Sequence, residues 1–218
     1  MSAALEHELL RSAGARHGFG LRGTQAPAGT LRPKQVHGSA VATLRDGSER
    51  LGEADAAVCR APGVAVAVVT ADCVPILLAT PGARVVAAVH AGWRGLAAGV
   101  VEAALAALAA EGARRGELVA AIGPHVGACC YEVDDPVLAA LHARFGGALD
   151  AAANATRPGH ARIDLGALAR AALLQALAPG SVGGFDGTCT RCDAARFESH
   201  RRDGARAGRM VHWVHCGG

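Results

Sequence analysis

Three apolar runs, Val64 to Val69, Ile76 to Leu78 and Val85 to Val89, follow one another with only short breaks containing Pro and Gly. Uninterrupted Val, Ala, Ile and Leu bounded by turn residues reads as buried strand. The third run leads into His90-Ala91-Gly92-Trp93-Arg94-Gly95, and the Ala- and Leu-rich stretch from Leu96 to Glu111, closed by Gly112, predicts one long helix. That order of strand, glycine turn and helix sets His90 at a strand end and Arg94 beside a helix N-terminus. Leu118 to Ile122 predicts another strand, running into Gly123-Pro124. Asp135 as N-cap with Pro136 at the first helical position starts a helix that ends near Gly146. Asp164 can cap a third helix through Leu177, which Pro179-Gly180 ends, and Arg209 to His215 alternates as a closing strand. Leu21 to Pro33 and Asp150 to Gly159 read as loops. With 218 residues, 51% of them hydrophobic, the chain can bury a core, and one domain over 1–218 is the simplest division.

Composition narrows the function classes. The apolar stretches are too short or too interrupted by Gly and Glu to span a bilayer, and the N-terminus lacks a basic region followed by an apolar core. Neither a membrane nor an export route is expected. A formal charge of +3 is small, the arginines are scattered apart from pairs such as Arg201-Arg202, and only 3% of residues are aromatic. Nucleic acid is therefore not an expected partner. Seven cysteines, an odd number in a chain long enough to need no staples, fit reduced thiols and a cytoplasmic setting.

Chemistry concentrates at His37, Cys73 and His90, each of which closes or follows a short apolar segment where glycine or proline turns the backbone. Two imidazoles and one thiolate make an open zinc site, since three protein ligands leave a fourth position free. Their spacing is too long for a zinc finger, so they meet only through the fold. A lone buried histidine is more often a hydrogen-bonded core residue than a ligand; three such positions together favour the metal. Asp72, beside Cys73, is expected to orient a ligand imidazole, to act in proton transfer, or merely to close a strand-end turn. Gly92-Trp93-Arg94-Gly95 offers backbone N–H groups and a guanidinium to an anion such as phosphate, or is a tight turn with Trp93 packed in the core. Cys189-Thr190-Arg191-Cys192 lacks a second metal-binding pair and a thioredoxin-like context. The vicinal Cys129-Cys130 is no partner for it, so both are expected to be structural or incidental and Cys189 and Cys192 dispensable. Ser199 lies in no Gly-x-Ser-x-Gly elbow, which speaks against a serine hydrolase. The cytidine-type deaminase signature is also absent.

Lys34 to Gly38, Thr70 to Leu78 (TADCVPILL), Val89 to Leu96 (VHAGWRGL), Ile122 to Val133 (IGPHVGACCYEV), Phe197 to Gly204 (FESHRRDG) and Gly208-Arg209-Met210 occur in that order. They resemble the purine nucleoside phosphorylase family, also called the laccase-domain, YlmD/YfiH-like or polyphenol oxidase family. The resemblance covers most of the chain. It implies a mixed α/β fold of the α+β type, a layered sandwich of mixed β-sheets covered by helices. It also implies zinc held by His37, Cys73 and His90. The implied activity is phosphorolysis of adenosine, inosine, guanosine and methylthioadenosine, with adenosine deamination in addition. His17-Gly18-Phe19 looks like the family's start, but the stretch ending in Leu-Asn-Leu-Gly is missing before His37, so one wall of the pocket is expected to be short.

The reading that follows is a cytoplasmic zinc enzyme acting on purine nucleosides and phosphate, its oligomeric state unspecified. Asp72, Cys73 and His90 are its catalytic candidates, Arg94, His125 and Arg201 its substrate-binding candidates, and Asp72, His125 and His200 the candidates to protonate the leaving base. Three rivals stand beside it. A copper-dependent polyphenol oxidase would ask for several histidine-rich copper sites, and the histidines here do not cluster in His-x-His pairs. A cytoplasmic editing hydrolase of peptidoglycan precursors would use Cys73 as nucleophile. A zinc-stabilised binding module would do no chemistry.

Overall fold

In the computed structural model, which describes residues 4–217, the apolar runs over 76–78 and 85–89 lie in the middle of one sheet and the run over 64–69 at the edge of a second. The chain begins with α1 (Glu8–Ser12), β1 (His17–Phe19), β2 (Val41–Leu44), β3 (Ala56–Cys59), β4 (Ala65–Thr70), β5 (Val74–Ala79) and β6 (Val86–Ala91). It continues through α2 (Trp93–Ala97), α3 (Val100–Ala110), β7 (Val119–Ile122), β8 (Glu132–Asp134), α4 (Asp135–Phe145) and α5 (Gly147–Ala152). The last elements are β9 (Ala153–Arg157), β10 (His160–Ile163), α6 (Leu165–Leu174), β11 (Val182–Gly184), α7 (His200–Asp203) and β12 (Met210–His215).

Six strands pair in the order β11-β7-β5-β6-β3-β2, parallel at the two edges and antiparallel between. A second sheet, β1-β12-β4, is antiparallel throughout, as is a small third sheet, β8-β10-β9. Every residue of β5 and β6 is buried because both faces of the large sheet are covered. Ile76, Leu78, Ala87 and Val89 share one apolar core with Leu105 and Leu108 of α3 and Leu168 and Leu173 of α6. Leu77, Ala79, Val86 and Ala88 share the other with Val66, Val68, Phe19 and Val214 of the three-stranded sheet. The result is a mixed α/β sandwich of helices, large sheet and small sheet. Among the described residues, no helix is long and apolar enough to cross a membrane.

The structure corrects three local expectations. The stretch over 96–111 is two helices, because Gly99 takes φ 82 and breaks the first before the second begins. Asp150 to Gly159 is not a loop: it closes α5 and supplies β9, an exposed strand in which alanine is the sole apolar residue and no large apolar side chain marks a buried face. The α4 cap falls one residue early, on Asp134, which makes no side-chain capping bond. Asp164 does cap α6, accepting from the Ala167 N–H at 2.9 Å.

Candidate metal centre

The start of β5, the end of β6 and the segment before β3 converge at one end of the large sheet. Val74 pairs with Ala91 and Pro75 with His90, which sets Cys73, one residue ahead of β5, against the chain leaving β6. Ala56 pairs with Val89, and the carbonyl of Asp55, one residue earlier, accepts from the His90 N–H at 2.7 Å. His37 belongs to no strand. Its segment runs beside residues 52–55, held by the Lys34 N–H on Gly52 O at 2.9 Å and the Ala54 N–H on Lys34 O at 3.1 Å. Gln35 fastens the segment to β4, donating to Val69 O at 2.8 Å and accepting from the Val69 N–H at 2.7 Å.

Asp55 organises the site, and sequence reasoning missed it. Its fully buried carboxylate accepts four bonds: His37 N–H at 2.9 Å and His90 Nδ1–H at 2.8 Å on Oδ1, Gly38 N–H at 2.7 Å and Val36 N–H at 3.2 Å on Oδ2. Burial pushes its pKa up, but the bonds from His90, Gly38 and Val36 outweigh burial and hold the carboxyl below its usual range. With Nδ1 committed to Asp55, Nε2 is the ring nitrogen of His90 that a metal would take, displacing its proton. The backbone bonds also hold His37 at φ 60, a left-handed conformation that costs a residue with a Cβ about 1–2 kcal/mol.

Donor atoms of His37, Cys73 and His90 all lie within 4.8 Å of one another, and the two imidazoles meet edge to face at 4.8 Å between centroids. A Cβ at position 92 would stand 3.1 Å from Cys73 Sγ and 3.4 Å from His37 Cδ2, so glycine there makes room for the cluster. Burial works against the Cys73 thiolate, yet His37 and His90 bring its pKa down to about 7. Burial likewise works against the His90 imidazolium, while Asp55 and Cys73 raise its pKa to about 9. Two imidazoles and an easily ionised thiol fit a borderline-soft ion such as zinc, with coordination left open for an outside ligand.

The cluster lies in a cleft of about 1150 Å³. Trp93 and Tyr131 give it aromatic walls, and the Arg94 guanidinium lies over the Trp93 ring at 4.3 Å as that of Arg201 lies over Tyr131 at 4.4 Å. Arg32, Lys34 and Arg209 add to its cationic lining. Among the described residues, Arg32, Arg94, Arg201 and Arg209 pair with no carboxylate. The acid in the lining, Asp72, is already occupied: Oδ1 accepts from Thr190 Oγ1 at 2.6 Å and Oδ2 from the Arg201 N–H at 2.6 Å.

The sequence candidates therefore divide. His37, Cys73 and His90 come together, and Arg94, Arg201 and His200 share their cleft. Asp72 ties Thr190, in the loop after β11, to the first turn of α7, and the carboxylate that bonds the His90 imidazole is that of Asp55. His125 faces a different cavity, with Nδ1 on Gly123 O at 2.8 Å and Nε2 3.8 Å from Asp164. Arg94 lies in α2, whose five residues are too few for a helix N-terminal anion site; its contribution is the exposed guanidinium itself. Trp93 is partly buried against the core. The expectation that Cys129-Cys130 has nothing to do with Cys189 and Cys192 is overturned, for all four thiols gather in one place. Gln35 and Tyr131 fall inside motifs of the resemblance without chemistry that singles them out, and Asp55 falls in none of them.

Residues 20–216 match the family model described as multi-copper polyphenol oxidoreductase laccase. A Xylella fastidiosa protein named purine nucleoside phosphorylase is 43% identical over 191 residues, 84% of this chain and 71% of that one. Adenosine deaminase RL5, from an unknown prokaryotic organism, is 36% identical over 194 residues, 85% of this chain and 74% of its own. Among solved structures, the hypothetical protein YfiH of Bacillus licheniformis superposes with a TM-score of 0.79 at 28% identity, covering 85% of this chain and 73% of that one.

Proposed function

The chain belongs to the multi-copper polyphenol oxidoreductase laccase family, the YlmD/YfiH-like group, and from that premise we propose that it is a zinc-dependent purine nucleoside phosphorylase. The observation that carries this reading is the cluster of His37, Cys73 and His90 opening into a cleft lined by unpaired guanidinium groups and two aromatic rings. Relatives named purine nucleoside phosphorylase lend it support.

In phosphorolysis a phosphate oxygen bonds to the anomeric carbon as the bond from that carbon to the purine nitrogen breaks, giving ribose 1-phosphate and free base. His37, Cys73 and His90 would hold the zinc, which would supply a Lewis acid when bound. Arg94, Arg201 and Arg209 hold the phosphate dianion, the first two backed by the rings of Trp93 and Tyr131. The departing base needs a proton. With both oxygens of Asp72 engaged and His125 in another cavity, His200 is the imidazole of the cleft left to deliver it.

Adenosine deamination in the same cleft is a second reading, favoured by the relative named adenosine deaminase RL5. The copper-oxidase reading is weaker, because among the described residues the donors that gather are this triad and one group of four cysteines, with no further histidine cluster. Metal-replete protein incubated with adenosine, inosine, guanosine and methylthioadenosine, with and without phosphate, separates the readings by chromatography. Phosphate-dependent release of free base is expected. Conversion of adenosine to inosine with no base released from any nucleoside would replace phosphorolysis with deamination.

A further inference from the structure

Away from the cleft's donor cluster, two loops bring together four thiols for which the proposed reaction has no use. The loop between β7 and β8 carries Cys129 and Cys130, and the loop after β11 carries Cys189 and Cys192. Their Sγ atoms all lie within 4.8 Å of one another, at 3.8 Å for Cys129 with Cys192 and 3.3 Å for Cys130 with Cys192. Four sulfurs bound tetrahedrally at about 2.3 Å from zinc stand roughly 3.8 Å apart. A disulfide needs about 2.05 Å. The spacing is that of a coordination shell.

Two of the four sulfurs meet hydrogen-bond donors. The Gly127 N–H donates to Cys189 Sγ at 3.2 Å and Arg191 Nη1 donates to Cys130 Sγ at 3.4 Å, so both loops supply a donor that offsets negative charge on sulfur. A Cβ at position 127 would stand 3.3 Å from Cys189 Cβ and 3.4 Å from Cys129 Sγ, and glycine there lets the loops close on each other. We infer that Cys129, Cys130, Cys189 and Cys192 form a second metal site, a closed structural zinc bound by four thiolates. Binding zinc displaces the thiol protons to solvent and needs no oxidant.

Such a site would staple the loop that ends at Tyr131 of the cleft to the loop whose Thr190 holds Asp72. Cys130 precedes Tyr131, which underlies Arg201. Cys189 precedes Thr190, whose hydroxyl holds Asp72 and whose N–H donates to His125 O at 3.0 Å. With four protein ligands it leaves no open position, in contrast to the three donors of the cleft.

Elemental analysis and zinc X-ray absorption on full-length protein test this apart from any activity. Wild-type protein purified with zinc should hold two equivalents per chain. Cys73→Ala plus His90→Ala should keep one, with a shell of four sulfurs at about 2.3 Å. Cys189→Ser plus Cys192→Ser should lose one and keep the site at His37. Because Cys73→Ala plus His90→Ala leaves all four cysteines intact, its absorption spectrum decides the matter even if the serine variant fails to fold. Should that protein also be unobtainable, the wild-type ratio of zinc to chain and the donor atoms around that zinc decide. Zinc-free Cys73→Ala/His90→Ala protein, a shell containing nitrogen or oxygen in it, a wild-type ratio of one with nitrogen in the shell, or these four thiols found paired as disulfides would overturn the inference.

Discussion

At the scale of single residues, Asp55 carries the most weight for its size. One carboxylate gathers the backbone of the 36–38 segment and the Nδ1 proton of His90, and so fixes two of three donors at once. Asp55→Asn keeps the shape but puts an amide N–H toward some of those donors. It should weaken zinc binding by about 10–100-fold, the usual cost of losing a ligand's hydrogen-bond partner, as read by competition with a chelator. Unchanged affinity would remove Asp55 from this role. Sequence could not single it out: an acid ahead of a short Ala-Val strand looks like any strand-edge carboxylate, and its partner His90 is 35 positions away. His37, Cys73 and His90 were legible because metal-binding side chains at glycine and proline turns are a local pattern. Arg94 is exposed and, among the described residues, partnered by the Trp93 ring alone, so solvent discounts its charge. Arg94→Ala should raise the KM for phosphate by about three- to tenfold while zinc content stays constant. An unchanged KM for phosphate with a lower melting temperature would mean that the guanidinium merely braces the turn.

At the scale of elements, legibility followed burial. β5 and β6 lie between two apolar layers, so nearly every residue is hydrophobic and the runs announce themselves. The strands of β8-β10-β9 are short, half-exposed or exposed, and β9 reads Ala-Asn-Ala-Thr-Arg, which has no large apolar residue to mark a buried face. The break between α2 and α3 was hidden for another reason. Alanine and leucine continue helically on both sides of it, and only the left-handed φ of Gly99 separates them. The break has a consequence for the site, because α2 alone is set against the metal segment: a Cβ at Gly95 would stand 3.0 Å from Gly38 O. Gly99→Ala must hold a left-handed backbone with a Cβ, at a cost of about 1–2 kcal/mol in denaturant unfolding. Zinc content should be unaffected if the break itself is kept. A variant as stable as wild type would show that the chain can run through position 99 as one helix.

At the scale of the whole molecule, the interface of the two sheets carries a buried imidazole. His212 of β12 is fully buried, with Nε2 bonded to Thr70 Oγ1 at 2.8 Å and Nδ1 unpartnered among the described residues. Burial, with the charge of His90 adding to it, pushes its pKa down to about 3. In the unfolded chain a histidine titrates near 6.5. Between those values the unfolded state binds a proton that the folded state refuses, so His212 leaves stability intact above pH 6.5 and lowers it as pH falls, by up to about 1.4 kcal/mol per unit. His212→Gln keeps a partner for Thr70 and should flatten this part of the acid slope in unfolding curves. Parallel curves for the two proteins would assign the slope to other groups. The layered sandwich around this residue was legible by resemblance, but the pairing that buries His212 between β1 and β4 joins positions far apart in sequence and was not.

The account rests on the claim that the donor cluster at the end of the large sheet is where nucleosides are split by phosphate. Phosphorus NMR of inosine, phosphate and enzyme follows ribose 1-phosphate directly, with wild-type protein compared against folded Cys73→Ala/His90→Ala protein. Ribose 1-phosphate accumulating with the first and falling to background with the second is the predicted result. Equal rates from both proteins, or none from zinc-loaded wild type, would contradict it.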